Sequence, residues 1–190
     1  MSEPAIKPVS FDELELLEDR SGLRHELWNG QPMAMTGGTR AHNIIALGLY
    51  RTLHRQLPTG CEAYVADMGM RLDAAAYSNK TYPDVIVVCH PKDDTVQTDP
   101  VLIAEVLSES SVARDRNLKF KAYTTLTSLH AYLILSQTAV EIEVYRRANH
   151  WQEEVYRGEN AVIELPQPEL RLPLREIYQD VWEALTGHPL

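Results

Sequence analysis

Cysteine is scarce in this chain, with only Cys61 and Cys89 among 190 residues. Neither belongs to a Cys-x-x-Cys pair, and the seven histidines show no zinc-type spacing, which argues against a structural zinc site. We therefore expect two separate, reduced thiols and a cytoplasmic location.

Long apolar runs are also missing. No stretch approaches the roughly 20 residues needed to cross a bilayer, and the N-terminal Met1-Ser2-Glu3-Pro4 lacks the charged and apolar regions of a signal peptide. Hydrophobic residues make up 44% of the chain and charged residues 24%, which is ordinary for a globular protein. A chain of 190 residues is expected to fold as one domain, spanning residues 1–190.

Basic residues are outnumbered, because 18 Lys and Arg stand against 27 Asp and Glu, giving a net charge of -9. This balance argues against tight binding of long DNA by a monomer. The charge is uneven, however. Residues 40–57 and 112–128 each sum to +3, whereas residues 58–111 sum to -6. A metal ion bound within that acidic middle section would partly neutralise it.

Two apolar, β-prone runs in the middle of the chain each contain one carboxylate. The run Tyr82–Val88 contains Asp84, and the run Val101–Ser108 contains Glu105. Such runs are typical of strands covered on both faces. By strand parity Glu105 points the same way as apolar neighbours, and a buried carboxylate must be protonated or have a cation beside it.

Side chains that face each other on neighbouring strands lie about 5 Å apart. Asp84 and Glu105 would therefore repel each other unless a hard cation lay between them, and oxygen ligands without Cys or His suit Mg²⁺ or Mn²⁺. The alternative interpretation is structural: Asp84 is a strand-entry residue after Pro83, and Glu105 pairs with an arginine.

The segments before these runs carry clear local signals. Ser10–Glu13 fits a capping box that begins a short helix. Residues 24–33 predict a hairpin that turns at Asn-Gly. A helix is predicted near residues 40–57, a single strand over 61–73 and a loop over 74–80.

The segments after them predict a β-α-β unit. A helix from about 114 to 126 carries Lys119, and a strand follows at 131–136, which should lie parallel to the strand of Glu105. Residues 140–147 and 151–157 alternate as a half-exposed antiparallel pair that could pair across a homodimer. An amphipathic helix is expected at residues 174–185.

A set of motifs spread over the chain resembles the Uma-two family of restriction-endonuclease-like proteins in the PD-(D/E)xK nuclease superfamily. The matching positions are Arg24-x-Glu26-Leu27-x-x-Gly30, His42, Pro83-Asp84, Glu105-Val106-Leu107-Ser108-x-Ser110-Ser111, Asp115, Lys119, Tyr123, Tyr132-Leu133-Ile134-Leu135 and Leu170-Arg171-Leu172-Pro173-Leu174. The resemblance covers about residues 10 to 185. It implies an α/β (α+β) restriction-endonuclease-like fold, with a central mixed β-sheet flanked by helices.

The resemblance also implies roles for individual residues. Asp84, Glu105 and the carbonyl of Val106 would bind Mg²⁺ or Mn²⁺, Glu26 would be a further acidic residue, and Lys119 would be the catalytic lysine. The superfamily usually has its lysine two residues after the glutamate, where this chain has Leu107. Two smaller departures are Glu109, where proline is common, and Ser136, where an acid often follows the strand.

The implied reaction is hydrolysis of a phosphodiester bond, with DNA as the expected substrate and RNA left open. Two alternatives stand beside it: a nuclease fold that no longer cleaves and instead binds DNA or protein, and a phosphoesterase for small molecules. Candidates for contact with nucleic acid are positively charged or polar residues of the two basic segments, namely Arg40, His42, Arg51, Arg55, Arg114 and Arg116.

Overall fold

A computed structural model describes residues 8–35, 37–73, 78–108 and 114–190, with the backbone alone at positions 73, 78, 114 and 115. The strands are β1 His25–Trp28, β2 Gln31–Ala34, β3 Cys61–Val65, β4 Gly69–Asp73, β5 Ser78–Thr81, β6 Val85–Cys89, β7 Val96–Gln97, β8 Pro100–Val106, β9 Ala131–Leu135, β10 Glu141–Arg146, β11 Glu153–Arg157, β12 Val162–Pro166 and β13 Glu169–Pro173. The helices are α1 Phe11–Ser21, α2 Arg40–His54, α3 Phe120–Tyr123, α4 Leu174–Ile177 and α5 Trp182–Thr186.

The centre of the molecule is a six-stranded sheet in the order β11-β10-β9-β8-β6-β3. Strands β8 and β9 are parallel, as the predicted β-α-β unit requires, and the other neighbours are antiparallel. The central mixed sheet flanked by helices is therefore confirmed. Strands β6 and β8 lie in the apolar runs that the sequence predicted to be covered on both faces, and their residues, like those of β9, are almost entirely buried.

A second sheet, in the order β2-β1-β5-β4-β7, was not expected from the sequence. The predicted hairpin is confirmed as β1 and β2, with positive φ at Asn29 and Gly30 in the turn. The prediction of a single strand over residues 61–73 is wrong. The extended backbone is interrupted at Ala66 (φ 57°), and the segments before and after this residue join different sheets. The loop predicted over 74–80 is wrong at its end, where β5 pairs with β4 and β1.

The helices are shorter than the sequence indicated. The capping box at Ser10 and Glu13 is present and begins α1. The helix expected from 114 to 126 is a π-helical segment, Arg114–Lys119, followed by the single turn of α3. The C-terminal helix is divided into α4 and α5 by a 3-10 turn, and the β12–β13 hairpin before it was missed.

Apolar side chains cover both faces of the central sheet. Alternate residues of β6 and β8 divide between two clusters, with Val85, Val87, Leu102 and Ala104 in one and Ile86, Val88 and Ile103 in the other. Helices α2 and α4 pack on the first face, and α3 with the residues before it packs on the second. No helix in the described part of the chain is long and apolar enough to span a membrane.

The two cysteines correct an expectation. Cys61 and Cys89 are register partners in β3 and β6, and their sulfurs are bonded. The prediction of two separate, reduced thiols is therefore wrong. The cysteines no longer support the expectation of a reducing compartment. Antiparallel pairing brings together two residues that are 28 positions apart, which spacing along the sequence does not reveal.

Candidate active site at the end of strand β8

Asp84 lies in a bend directly before β6, outside the strand to which the sequence assigned it. The preceding Pro83 has no N–H with which to continue the sheet ladder. The side chain of Asp84 makes the next contact with β8 in place of the backbone: its Oδ2 accepts a hydrogen bond from the Val106 N–H at 2.7 Å. The register pairs Val85 with Ala104, so its continuation places Asp84 opposite Glu105.

His42 is the second partner of Asp84. Its Nε2 lies 3.0 Å from Asp84 Oδ2, and its position follows from the start of α2, where Thr39 caps the helix by accepting the His42 backbone N–H. A Cβ at residue 38 would lie 2.7 Å from His42 Nδ1, so glycine is required there for the imidazole to keep this position. The structure therefore places His42 at the carboxylate itself rather than on an outer surface.

Glu105 is buried at the end of β8, with 3% of its side chain exposed. Its Oε1 accepts hydrogen bonds from Lys119 Nζ and from the Tyr123 hydroxyl, both at 2.9 Å. The sequence argument that a buried acid needs a cation beside it is met by a lysine 14 residues later, not by the arginine of the structural alternative.

Glu26 completes the cluster from the other sheet. Its Oε1 accepts a hydrogen bond from Thr81 Oγ1 at 2.6 Å and lies 3.3 Å from Lys119 Nζ, and its Oε2 accepts one from Trp28 Nε1 at 3.0 Å. Burial opposes its ionisation, but the charge of Lys119 and these hydrogen bonds together lower the pKa of Glu26 below its ordinary value. Glu26 is therefore a carboxylate at neutral pH.

Lys119 reaches both acids from the last residue of the π-helical segment. Only 7% of its side chain is exposed, so the ordinary interpretation of a solvated helix lysine does not apply. The wide turn of a π-helix, which is rare and often found at functional sites, directs this side chain back toward the sheet. A lysine from the next helical segment therefore lies beside Glu105, although Leu107 stands two residues after that glutamate.

Three further residues of the cluster, Thr81, Trp28 and Tyr123, were not predicted as site residues from the sequence. Thr81 and Trp28 carried no signal in the sequence beyond their places next to Pro83 and Glu26. Tyr123 matched the family pattern without an assigned role. Its hydroxyl lies 3.2 Å from Thr81 Oγ1, and burial together with Glu105 and Glu26 raises the pKa of Tyr123 well above its usual value, so it remains a neutral donor.

The charges and ligand types of this cluster fit a divalent cation. Two buried carboxylates, Glu26 and Glu105, share the ammonium of Lys119, and Asp84 accepts a hydrogen bond from the N–H of Val106, the residue after Glu105. In a strand the N–H and C=O of one residue point to the same side, so the Val106 carbonyl faces the side of Asp84, as its N–H does. These oxygens are ligands that Mg²⁺ accepts, and Mg²⁺ usually keeps several waters beside one or two carboxylates. Among the described residues, no group of three or more His, Cys, Asp or Glu side chains is arranged so that it could hold a metal ion.

Of the residues predicted to contact nucleic acid, His42 contacts Asp84, but the arginines are not gathered around it. Arg51 and Arg55, near the C-terminal end of α2, pair with Asp180 at 2.7 Å and with Glu176 at 2.5 Å. At 1.5 Å per residue they lie more than about 10 Å along the helix from His42. Two others differ: Arg40 is exposed at the start of α2, and Arg116 pairs with the buried Glu143. The side chain of Arg114 lies outside the described part of the chain.

Comparisons with known proteins agree with this architecture. Residues 11–175 match the profile of the Uma2 family, described as "Putative restriction endonuclease". Two uncharacterized proteins of Synechocystis sp. are similar: slr1290 is 37% identical over 143 residues, covering 73% of this chain and 74% of that protein, and sll1609 is 35% identical over 155 residues, covering 77% and 86%. A crystal structure described as a "putative nuclease belonging to DUF820" from Anabaena variabilis matches with a TM-score of 0.65 at 15% identity, covering 90% of this chain and 98% of its own.

Proposed function

The chain belongs to the Uma2 family of restriction-endonuclease-like proteins, and we propose that it is a metal-dependent endonuclease that hydrolyses phosphodiester bonds of DNA. The observation that carries the proposal is the buried Glu26–Lys119–Glu105 cluster, together with the hydrogen bond from the N–H of Val106, the residue after Glu105, to the Asp84 carboxylate. Burying two carboxylates and an ammonium costs free energy, and a strand end with no reaction to perform would be more stable with apolar residues.

In this proposal Asp84, Glu105 and the carbonyl of Val106 hold Mg²⁺ or Mn²⁺. When bound, the ion would polarise the phosphate and lower the pKa of an attacking water. The register across β6 and β8 supports this ligand set, because it brings the two carboxylates to neighbouring strands at the same end of the sheet.

Lys119 donates hydrogen bonds, either to the attacking water or to an oxygen of the phosphate as charge develops there. As a protonated ammonium it has no lone pair, so it does not act as the base. Glu26 is a second carboxylate contact of Lys119 besides Glu105, and Thr81 and Trp28 donate hydrogen bonds that fix the Glu26 carboxylate. His42 holds Asp84 in the same manner.

DNA is the proposed partner, and the exposed Arg40 at the start of α2, two residues before His42, is the best placed phosphate contact among the described candidates. We place the reaction in the cytoplasm, where such a substrate would be met. A homodimer is proposed through β11, because that strand lies at the sheet edge and alternates exposed and partly buried residues. A monomeric mass by light scattering would contradict the dimer.

A catalytically inactive module that binds DNA or protein is the second candidate. The net charge of -9 favours it, and so does the pairing of Lys119 with two carboxylates, which holds the lysine away from a substrate. A phosphoesterase for small molecules is a third; it would cleave nucleotide esters and leave DNA intact.

Metal binding is tested first, by thermal unfolding with added Mg²⁺ or Mn²⁺. At 100 times its dissociation constant the ion should stabilise the wild type by about 2.7 kcal/mol, or raise its Tm by roughly 5–10 °C. The increase should be lost in Asp84→Asn and retained in Glu159→Gln, whose exposed acid pairs with Arg175. An equal increase in all three proteins would contradict the ligand set.

Cleavage is tested by Mn²⁺-dependent nicking of supercoiled plasmid. Glu105→Gln should reduce the rate at least a thousandfold, equivalent to about 4 kcal/mol of transition-state stabilisation, while Glu159→Gln retains it. Metal-dependent stabilisation without any cleavage of DNA or RNA by the wild type would support the inactive module instead.

A further inference from the structure

A third buried carboxylate, Glu143 of β10, lies in the same row across the sheet as Glu105. The register pairs Glu105 with Ile134 and Ile134 with Glu143, so one strand separates the two acids, a distance of about 10 Å. Only 6% of the Glu143 side chain is exposed, and the proposed reaction does not use it.

The cation beside Glu143 comes from the helical segment that also carries Lys119. The Arg116 guanidinium pairs with Glu143 Oε1, and Lys119 follows three residues later in the π-helical turns. One short segment therefore extends one cation to each of two acids in the same row. The Tyr145 hydroxyl donates to Glu143 Oε2 at 2.9 Å, and the Tyr145 ring packs edge-on against Phe120 at 4.9 Å, directly after the segment.

We propose that Glu143, acting through Arg116, is a positioning residue that fixes the rotation of residues 114–119 and thereby the reach of Lys119 to Glu105. A π-helical turn is intrinsically unfavourable and persists only where tertiary contacts hold it. The contacts of Lys119 with Glu105 and Glu26 hold the end of the segment, and the contact of Arg116 with Glu143, three residues earlier, restricts its rotation about that end. The effect on catalysis rests on the proposed function; the effect on Lys119 does not.

Arg116 was expected from the sequence to contact phosphate, and the two roles make different predictions. About 45% of the Arg116 side chain is exposed, so a phosphate contact would raise KM and its salt dependence. A positioning role lowers kcat at constant KM and changes the environment of Lys119 even without a substrate.

The direct test observes Lys119 in the full-length protein. The chain has five lysines, so lysine labelled with ¹³C at Cε gives few NMR signals. The signal that is absent from the spectrum of Lys119→Arg is assigned to Lys119. In Arg116→Gln/Glu143→Gln, which removes both charges and keeps the hydrogen-bonding groups, the Lys119 signal should move at least half way toward that of the exposed Lys92.

The matched control removes another ion pair that has one member in β10. Arg146 and Glu154 contact each other at 3.0 Å, with Arg146 on the opposite strand parity from Glu143. The double variant Arg146→Gln/Glu154→Gln should leave the Lys119 signal in place. In the nicking assay Arg116→Gln/Glu143→Gln should lower kcat at least tenfold with KM within twofold, and the control should change neither.

A folded Arg116→Gln/Glu143→Gln protein whose Lys119 signal stays at the wild-type position overturns the proposal. If that variant does not fold, Arg116→Lys replaces it, because it keeps the charge but loses the guanidinium fork. Its Lys119 signal should lie between those of the wild type and Lys92, and an unmoved signal again overturns the proposal. If the wild type cleaves nothing, the proposed function fails while the NMR measurement still decides whether Glu143 positions Lys119.

Discussion

Lys119→Met removes the ammonium that Glu26 and Glu105 share and leaves a side chain of similar length. The two acids are then buried at 4% and 3% exposure, without the charge that the wild type places between them at 3.3 and 2.9 Å. At an effective dielectric constant of about 20, each contact is worth roughly 5 kcal/mol of gross Coulomb energy. Desolvation of the ammonium offsets much of this, so we expect a net loss of about 3–5 kcal/mol in the free energy of unfolding at pH 7.

Lys92→Met is the matched control because it isolates the effect of burial. Lys92 Nζ lies 2.8 Å from Asp99 Oδ2, a distance like that in the site, but 78% of its side chain is exposed. Water screens such a pair, and its loss should cost less than about 1 kcal/mol. Urea unfolding of wild type, Lys119→Met and Lys92→Met at pH 7 compares the three free energies directly.

The pH dependence gives a second, independent readout. In the wild type the pKa of Glu26 is lowered from its ordinary 4.5, so its ionised form contributes stability above that pH and loses it as the pH falls through the folded value. Without Lys119, burial raises the pKa of Glu26 instead, and the folded variant takes up protons that the unfolded chain does not. The deficit of Lys119→Met should therefore shrink as the pH falls from 7 toward 4.5.

Two results would refute this reasoning. One is a loss of stability in Lys119→Met that is no larger than that in Lys92→Met, which would mean that the buried acids are neutral or solvated. The other is a deficit that stays constant between pH 7 and pH 4.5. Added Mg²⁺ should also stabilise Lys119→Met, provided that Asp84 and Glu105 bind it as proposed.

The remaining predictions concern single groups whose contacts are equally well defined. Tyr123→Phe removes the hydroxyl that donates to the Glu105 carboxylate and should lower the free energy of urea unfolding by about 1.5–3 kcal/mol. The matched control is Tyr178→Phe, whose hydroxyl donates to neutral backbone carbonyls and whose loss should cost only about 1 kcal/mol. Equal losses would contradict a charged Glu105. Gly48→Ala places a Cβ 2.0 Å from the Ile177 carbonyl oxygen, so α2 and α4 must move apart, and we expect a loss of at least about 1–3 kcal/mol in the same assay. An unchanged stability would mean that these helices do not approach as described.

Local signals predicted the parts of the fold that short-range physics controls. The Asn29-Gly30 turn, the capping box at Ser10 and the apolar strands around Glu105 depend on residues within a few positions of one another. The second sheet was missed because the regular alternation over residues 61–73 predicts one continuous strand. The structure interrupts that strand at Ala66, where φ is positive.

The sequence by itself predicted that Glu105 would be buried and would be either protonated or placed beside a cation, because an unpaired charge within an apolar strand is very costly. Only the tertiary structure decided which groups lie beside the Glu105 carboxylate. Lys119 and Tyr123 contact Glu105, and Glu26 and Thr81 join the same network through Lys119 and Glu26, because of the register of two sheets and the rotation of a π-helical turn. The same holds for the bonded cysteines and for Arg116 on Glu143, since contacts between distant positions depend on how elements pack, and periodicity along the chain does not encode that packing.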